Sequence, residues 1–402
     1  MRIISNLIWL FARVRSMVGV PAKGSLKQGA SNAPMRLLVI ANAIIPTVQL
    51  SLLAPLARLI NNNECSVEFL TEQQIKERFG KSLRTKEAWE WIENQCIAAR
   101  PTHIVFCRYS GPHAEALLGF SHTRRIPSIY CIDDDLLNVP RELGQQKFEY
   151  HNHPLRLEAV HYLLNNTDLV YCSNDRLKKR LDDIGIRGNL YAGKIFCAGE
   201  IISPAELRLT KTIGYMGFDH AHDFEIVLPA LVKILHKYPE LRFEIFGKIP
   251  KPAVLNEFGN RIVVLSTISD YGEFLKVFAS RKWDVGICPL APTDFNQVKN
   301  INKWIEYTSV GTAVIASRGI IYDECCSDNC GLLATTADEW LDAFETLISD
   351  SDLRVQLVSK AQNRLQKNYS VDGLRDQVME VFHQACEIVK HRNDLAESKK
   401  IA

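Results

Sequence analysis

The feature that most constrains this chain is an alternation that occurs twice. Short runs made almost entirely of apolar residues are each followed by a stretch with helical periodicity. The first series begins at Arg36–Ala41 (RLLVIA) and continues through Cys65–Leu70, His103–Cys107, Ser128–Ile132, Leu169–Ser173 and Asn189–Ala192. Helices are expected over Leu50–Asn61, Lys86–Ala99, Arg156–Leu164 and Arg176–Ile184. The series restarts at Thr212–Met216, with further strands at Arg242–Gly247, Ile262–Ser266, Asp284–Pro289, Thr312–Ser317 and Gly331–Ala334. Helices are expected over Asp223–Lys237, Tyr271–Ser280 and Lys299–Val310, and three more finish the chain. Strands that are apolar on both faces belong to parallel sheets covered by helices on both sides. The expectation is an α/β protein with two Rossmann-like, doubly wound halves, whose ligands lie outside the carboxyl ends of the strands.

The 402 residues suffice for two such cores. A composition of 47% hydrophobic and 23% charged residues excludes disordered and fibrous classes. The net charge of +2 shows no overall basic field, so nucleic acid is not an expected partner. The 11 cysteines are odd in number and mostly lie inside apolar runs, which reads as reduced, buried thiols. Cys325, Cys326 and Cys330 lack a fourth ligand and a C-x-x-C pair, so no zinc or other metal site is expected.

Charge is distributed unevenly. No acidic residue precedes Glu64, whereas Arg2, Arg13, Arg15, Lys23, Lys27, Arg36 and Arg58 are basic. Ile3, Ile4, Leu7, Ile8, Leu10, Phe11, Val14 and Val18 approximate one helical stripe, with Trp9 at its edge. The longest uncharged run there, Ile3–Ala12, falls short of the about 20 residues a spanning helix needs. No small-residue cleavage site follows a clean apolar region, which argues against a signal peptide. Residues 1–20 therefore read as an amphipathic, basic helix resting on an anionic membrane surface, or packed on the protein or a second subunit. A linker follows, and the whole extension spans 1–34. Leu37–Ala57 is uncharged too, but Asn42, Pro46, Thr47, Gln49 and Ser51 divide it into strand, loop and helix. The remaining boundaries are expected at 35–200, 201–370 and 371–402. The last segment, a helix, is expected to return to the first half.

Three constellations carry chemistry. In Asp294–Tyr307 (DFNQVKNINKWIEY), Lys299, Lys303 and Glu306 have i, i+4, i+7 spacing and would share a helix face. Lysines in a first turn oppose the helix dipole unless an anion binds there. Glu306 is placed to accept hydrogen bonds from ribose hydroxyls, and Phe295 and Asn296 begin the segment. In Gly214–Asp223 (GYMGFDHAHD), a strand enters a glycine turn, and Gly217 lets a ligand approach the backbone. Gly214, Tyr215, His220, His222 and Asp223 are candidate donor-site residues, with helix capping the alternative for His222 or Asp223. Asp133, Asp134 and Asp135 follow the fourth strand and are candidates for binding acceptor hydroxyls, a cation, or for base catalysis. The alternative is an Asx-type turn. Arg108, His113, Asn42 and Thr47 lie in loops at the same edge; His113 is a candidate acid–base group and Arg108 and Asn42 acceptor contacts.

Three segments make the chain resemble a GT-B glycosyltransferase of the family 4 type, specifically a bacterial subgroup making surface polysaccharides. They are Tyr130–Pro140 (YCIDDDLLNVP), Ile213–Asp223 (IGYMGFDHAHD) and Phe295–Ser317 (FNQVKNINKWIEYTSVGTAVIAS), and the resemblance spans about Met35 to Lys390. It implies two Rossmann-like domains facing a cleft. The chemistry implied is sugar transfer, with retention more expected than inversion, from a UDP- or GDP-sugar to a glycan or lipid-linked acceptor, as in O-antigen or capsule synthesis. The C-terminal half would hold the donor. Glu306 matches the second Glu of the family's E-x7-E motif, which usually contacts ribose. The first Glu falls on Val298, and the usual donor-loop Arg and Lys are not evident around Phe218–Asp223. Lys299 and Lys303 are expected to neutralise the diphosphate instead, with no cofactor required. The implied location is the cytoplasm, peripherally at the inner membrane face, with homo-oligomers allowed. Three alternatives remain: an inactive GT-B-like glycan-binding scaffold, a GT-A-like manganese enzyme using Asp133–Asp135, and a nucleotide-sugar epimerase of the same fold, which needs no acceptor.

Overall fold

The computed structural model describes residues 34–194, 199–217, 221–268 and 270–401. The basic extension and His220 lie outside the described residues. The chain divides into two compact units. The described residues of the first run to Val139, resume at Gln146 and return from Asp372; Pro140–Gln145 and the residues up to Val371 form the second.

The first unit is built on a six-stranded parallel sheet. Its strands are β1 (Met35–Ala41), β2 (Cys65–Thr71), β3 (His103–Cys107), β4 (Ser128–Ile132), β5 (Leu169–Cys172) and β6 (Leu190–Ala192), in the order β2-β1-β3-β4-β5-β6. The order reverses between β1 and β3, where Val39 pairs with Val105. Loops leaving the carboxyl ends of these two strands diverge and leave a crevice. Leu37, Val39, Val105, Ile129 and Tyr171 form one core with Val378, Val381, Phe382 and Ala385 of the C-terminal helix Val371–Ile401. That helix is also tied by polar contacts: Gln377 Nε2 donates to the Lys194 carbonyl at 3.1 Å, and Arg392 Nη1 meets Asp168 Oδ1 at 2.5 Å. The Asp168 carboxylate is buried, and its other oxygen accepts from the Ser128 amide and hydroxyl at 2.8 and 2.7 Å. A buried carboxylate needs such partners to keep its charge.

The second sheet comprises β7 (Thr212–Gly217), β8 (Arg242–Gly247), β9 (Ile262–Leu265), β10 (Val285–Cys288), β11 (Ala313–Ser317) and β12 (Leu332–Ala334), ordered β12-β11-β10-β7-β8-β9, again all parallel. Its switch point lies between β7 and β10. Ile213, Tyr215, Ile245, Ile287 and Ile315 pack against Leu231 and Ile234 of helix Leu228–Lys237 and Trp340 and Phe344 of helix Ala337–Ser349. Buried Asp284 accepts from the amides of Lys211 and Thr212 at 2.8 and 3.0 Å, which fixes the start of β7.

Several elements depart from the periodicity. The helix expected from Leu50 begins at Pro46 and includes a π turn, Gln49–Leu53, before Ala54–Asn61. Pro55 lacks an amide donor, and a widened turn accommodates that loss. The helix expected over Asp223–Lys237 is two, Ala221–Phe224 and Leu228–Lys237. Helices Glu72–Phe79, Ala114–Thr123 and Gln145–His151 had no periodic signature. Ala114–Thr123 buries Ala114, Leu117, Leu118, Phe120 and Ser121, too wide a surface to read as one stripe. No helix among the described residues is long and apolar enough to cross a membrane. The ten described cysteines are free thiols, and all but Cys386 are buried.

Candidate functional site

In the second unit the candidate site lies at the carboxyl ends of β7 and β10, beside the switch point. Tyr307, on helix Asn302–Ser309, staples the two strands. Its hydroxyl accepts from the Met216 amide at 2.9 Å and donates to the Ile287 carbonyl at 3.2 Å. Gly286 makes this possible, since a Cβ there would lie 2.7 Å from the Tyr307 ring. With Tyr307 anchored, Lys303 and Glu306 lie one turn apart on the helix and both stay half-buried.

Lys303 Nζ stands 5.0 Å from the centroid of the buried Tyr215 ring and 3.5 Å from where a Cβ on Gly217 would be. Among the described residues no carboxylate forms an ion pair with it. Burial lowers its pKa from the ordinary lysine value, against the opposing pull of Cys288, Asp223 and Glu306. Glu306 Oε1 accepts from the Tyr271 hydroxyl at 3.0 Å. Burial pushes the Glu306 pKa up to about 7, while Tyr271 and Lys303 hold it down. The site thus combines an amine lacking an ion-pair partner with a carboxyl group that titrates near neutrality, which suits an anion and a hydroxyl donor respectively.

The helix-face expectation needs correction. The helix begins at Asn302, not Lys299, and a separate short helix, Asp294–Gln297, precedes it. Thr293 caps the short helix by accepting from the Asn296 amide at 3.2 Å. The Asn296 side chain is drawn inward, donating to Asp223 Oδ1 at 3.1 Å and to the Ala291 carbonyl at 3.0 Å. Lys299 therefore sits in the connector, with Nζ 4.6 Å from the Phe295 ring centroid.

Other candidates serve the scaffold of this site. Asp223 is fully buried; its Oδ1 accepts from the Ala291 amide at 2.7 Å and lies 3.2 Å from His222 Nε2. Buried Asp223 thus ties helix Ala221–Phe224 to the segment after β10, and buried Asn296 shares that contact. The Asp223 hydrogen bond raises the His222 pKa above the usual imidazole value, favouring a cation there. Gly214 is also corrected: a Cβ would fall 2.1 Å from the Trp283 ring, so this glycine admits an indole rather than a ligand. Tyr215 supplies the ring beneath Lys303.

In the first unit the acidic triplet splits. Arg108 Nη1 bonds Asp133 and also Asp134, the latter at 2.8 Å, and Thr47 donates to Asp133 Oδ2 at 2.9 Å. Burial opposes the Arg108 charge, but the two carboxylates more than offset it and raise its pKa above the ordinary value. Asn42 Nδ2 donates to the Arg108 carbonyl at 3.1 Å and to Ser110 Oγ at 3.0 Å. Asp135 is the correction here. It is buried and accepts from the Leu137 amide, Asn138 Nδ2 at 2.8 Å and Arg180 Nε at 3.1 Å, so it closes an Asx-type turn instead of meeting an acceptor. His113 lies away from the triplet's hydrogen bonds, with Nε2 3.1 Å from the Leu83 carbonyl; burial lowers its pKa, and it lines a hollow of about 550 Å³ with Arg84, Glu115 and Tyr162.

Sequence reasoning missed Tyr271, which looks like any core aromatic at a helix start. It also missed Glu72, Arg156 and Tyr150. Arg156 pairs with Glu72 at 2.5 Å, stacks 3.7 Å from the Tyr150 ring and donates to Ser110 Oγ at 3.0 Å. No local motif marks residues brought together from such distant segments. Among the described residues, no group of three or more His, Cys, Asp or Glu is placed to hold a metal.

No protein-family model matches the chain, and no curated protein matches it in sequence. Solved structures do match its fold. HepE from Anabaena, in complex with UDP and glucose, is 16% identical with a TM-score of 0.60, covering 87% of this chain and 99% of that one. Sucrose-phosphate synthase from Thermosynechococcus elongatus is 14% identical with a TM-score of 0.58, covering 87% and 98%. An E. coli trehalose-6-phosphate structure bound with UDP-2-fluoro glucose is 14% identical with a TM-score of 0.54, covering 86% and 98%. The expected fold class is borne out: two Rossmann-like parallel-sheet units of the GT-B type. The second six-stranded sheet also removes the GT-A alternative.

Proposed function

We propose that this chain is a glycosyltransferase that moves a sugar from a nucleotide-sugar donor, a UDP-sugar by preference, to a hydroxyl of a glycan or lipid-linked acceptor. The observation that carries this reading is the Lys303 and Glu306 pair at the β7–β10 switch point, an amine without an ion-pair partner beside a carboxyl group. The UDP and sugar in the structures of similar fold support it.

In this reading the diphosphate lies against Gly217, Lys303 and Lys299, at the amino end of helix Asn302–Ser309, where the helix dipole adds positive potential. His222, favoured as a cation by Asp223, adds to that potential. Glu306 accepts from the ribose. As the bond to the sugar breaks, negative charge grows on the departing nucleotide, and Lys303 stabilises it with little reorganisation. The first unit supplies the acceptor surface through Arg108, Asp133 and Asp134. Retention at the anomeric carbon and a role in surface polysaccharide assembly belong to the proposal through the motif resemblance. So does membrane attachment through residues 1–20, which predicts that deleting 1–34 abolishes binding to anionic vesicles.

A thermal-shift panel of UDP, GDP, dTDP, CMP and ADP tests the reading, since a ligand that binds only the native state raises Tm. A shift with one nucleoside diphosphate, lost in Lys303→Met, is the expected result. No shift with any of them contradicts it.

A further inference from the structure

Tyr271 is absent from every motif in the sequence, yet it makes the hydrogen bond that Glu306 accepts from across the site, at 3.0 Å. It opens helix Tyr271–Arg281, whose amino end is fixed by Asp270 accepting from the Glu273 amide at 2.8 Å. Its ring lies 5.8 Å from Phe274, which packs in turn on Phe278 at 5.7 Å and Phe246 at 5.3 Å. The hydroxyl is therefore presented from a rigid aromatic stack, not from a mobile loop. We propose that Tyr271 is a positioning residue that keeps Glu306 an oriented carboxylate for the vicinal hydroxyls of a ribonucleotide, making ribose recognition dependent on both pH and Tyr271. This inference rests on the donor-site reading above.

The chemistry follows from acceptor capacity. An ionised carboxylate only accepts hydrogen bonds, so with Tyr271 on Oε1, Oε2 stays open to a ribose hydroxyl. A neutral carboxyl spends one oxygen as a donor and presents a mismatched partner to a hydroxyl pair. Burial favours that neutral form, and Glu306 changes charge at about pH 7. The groups facing it are Tyr271 from the neighbouring helix, Lys303 and Tyr307 on its own helix, and Cys288 at the end of β10. Lys303 is itself influenced by Asp223, Cys288 and Lys299. Of these, Tyr271 alone donates a hydrogen bond to the Glu306 carboxylate among the described residues. Losing that bond removes one of the two influences that favour the charge, and the carboxyl group must then ionise at higher pH.

The experiment is a calorimetric titration of UDP and of its 2′,3′-dideoxy analogue across about pH 5 to 9. It uses the full chain as wild type, Tyr271→Phe and Glu306→Gln. The wild type is expected to bind UDP more tightly as pH rises through about 7. Tyr271→Phe is expected to move that midpoint upward by about one pH unit and to regain most of the wild-type affinity above it. Glu306→Gln is expected to bind UDP weakly without that step. The dideoxy analogue corrects for titration of the phosphate, and its profile should be alike in all three proteins. A purely structural role for Tyr271 would weaken binding equally at every pH and overturns the inference, as does an unmoved midpoint. Absence of UDP binding at all pH values overturns the donor-site reading itself, a distinct result.

Discussion

The two switch points solve the same electrostatic problem in opposite ways. At the first, charges meet opposite ones: Arg108 with Asp133 and Asp134, Arg180 with Asp135, Arg156 with Glu72. At the second, Lys303 rests on an aromatic ring instead of a carboxylate, and Glu306 is steadied by a phenol. A compensated cluster is preorganised and holds loops in register. An uncompensated buried charge costs stability until a ligand supplies its partner, and such costs concentrate at binding sites. Under the proposed function, the first cluster is mainly architectural with a polar surface, and the second recognises an anion.

Substitutions that remove a charge should therefore act in opposite directions in the two units. The largest effect is expected for Arg108→Met. The Asp133 and Asp134 side chains are only 15% and 20% exposed, so removing their shared cation leaves two adjacent carboxylates poorly solvated. A loss of about 2–4 kcal/mol in unfolding free energy at pH 7 is expected from urea denaturation. Arg108→Lys, which keeps a cation there, should lose less. An equal loss in both variants would show that packing, not charge, is at stake.

Gly214→Ala comes next, because its Cβ would overlap the Trp283 ring. Overpacking of this kind costs about 1–3 kcal/mol, readable as a lowered Tm. UDP affinity measured below that Tm should be nearly unchanged, which separates this packing glycine from Gly217.

Glu306→Gln should stabilise the unliganded protein by about 1 kcal/mol at pH 8, because it removes a charge disfavoured by burial. The sign follows from linkage. The folded-state pKa is raised to about 7, so between the ordinary glutamate value and 7 the folded protein binds more protons than the unfolded chain. Stability contributed by Glu306 is present at low pH and falls as pH rises through that window. Near pH 4 the two proteins should have the same Tm. A Gln variant less stable than wild type at pH 8 would show that the carboxylate is structural.

Much of this contrast was legible in the sequence. Uninterrupted apolar runs such as RLLVIA and HIVFC marked strands because only doubly covered strands tolerate them. Lys303 and Glu306 stood out because a lysine in a first helical turn conflicts with the dipole. The structure moved Lys299 out of that helix, because Asn296 turns inward to Asp223 and ends the preceding helical turn, a contact between residues 73 positions apart. The three aspartates looked equivalent in sequence, yet the chain bends at Asp133 and Asp134 directly after β4, which leaves those two on Arg108 and turns Asp135 to Arg180 in the interior. Tyr271 and Arg156 carried no signal because their meaning comes from partners 35 and 84 positions away. Periodicity reports which face of an element is covered; it does not report which polar group meets another across the fold.

Lys303 has no ion pair among the described residues, and in the proposed function a diphosphate serves as its partner. Calorimetric titration of UDP and of uridine into wild type and Lys303→Met tests it most directly. The account predicts that Lys303→Met loses about 10–100-fold in UDP affinity, the worth of one charged hydrogen-bonded contact, while uridine binding is unchanged and the free protein is no less stable. Equal UDP affinity in the two proteins would contradict it.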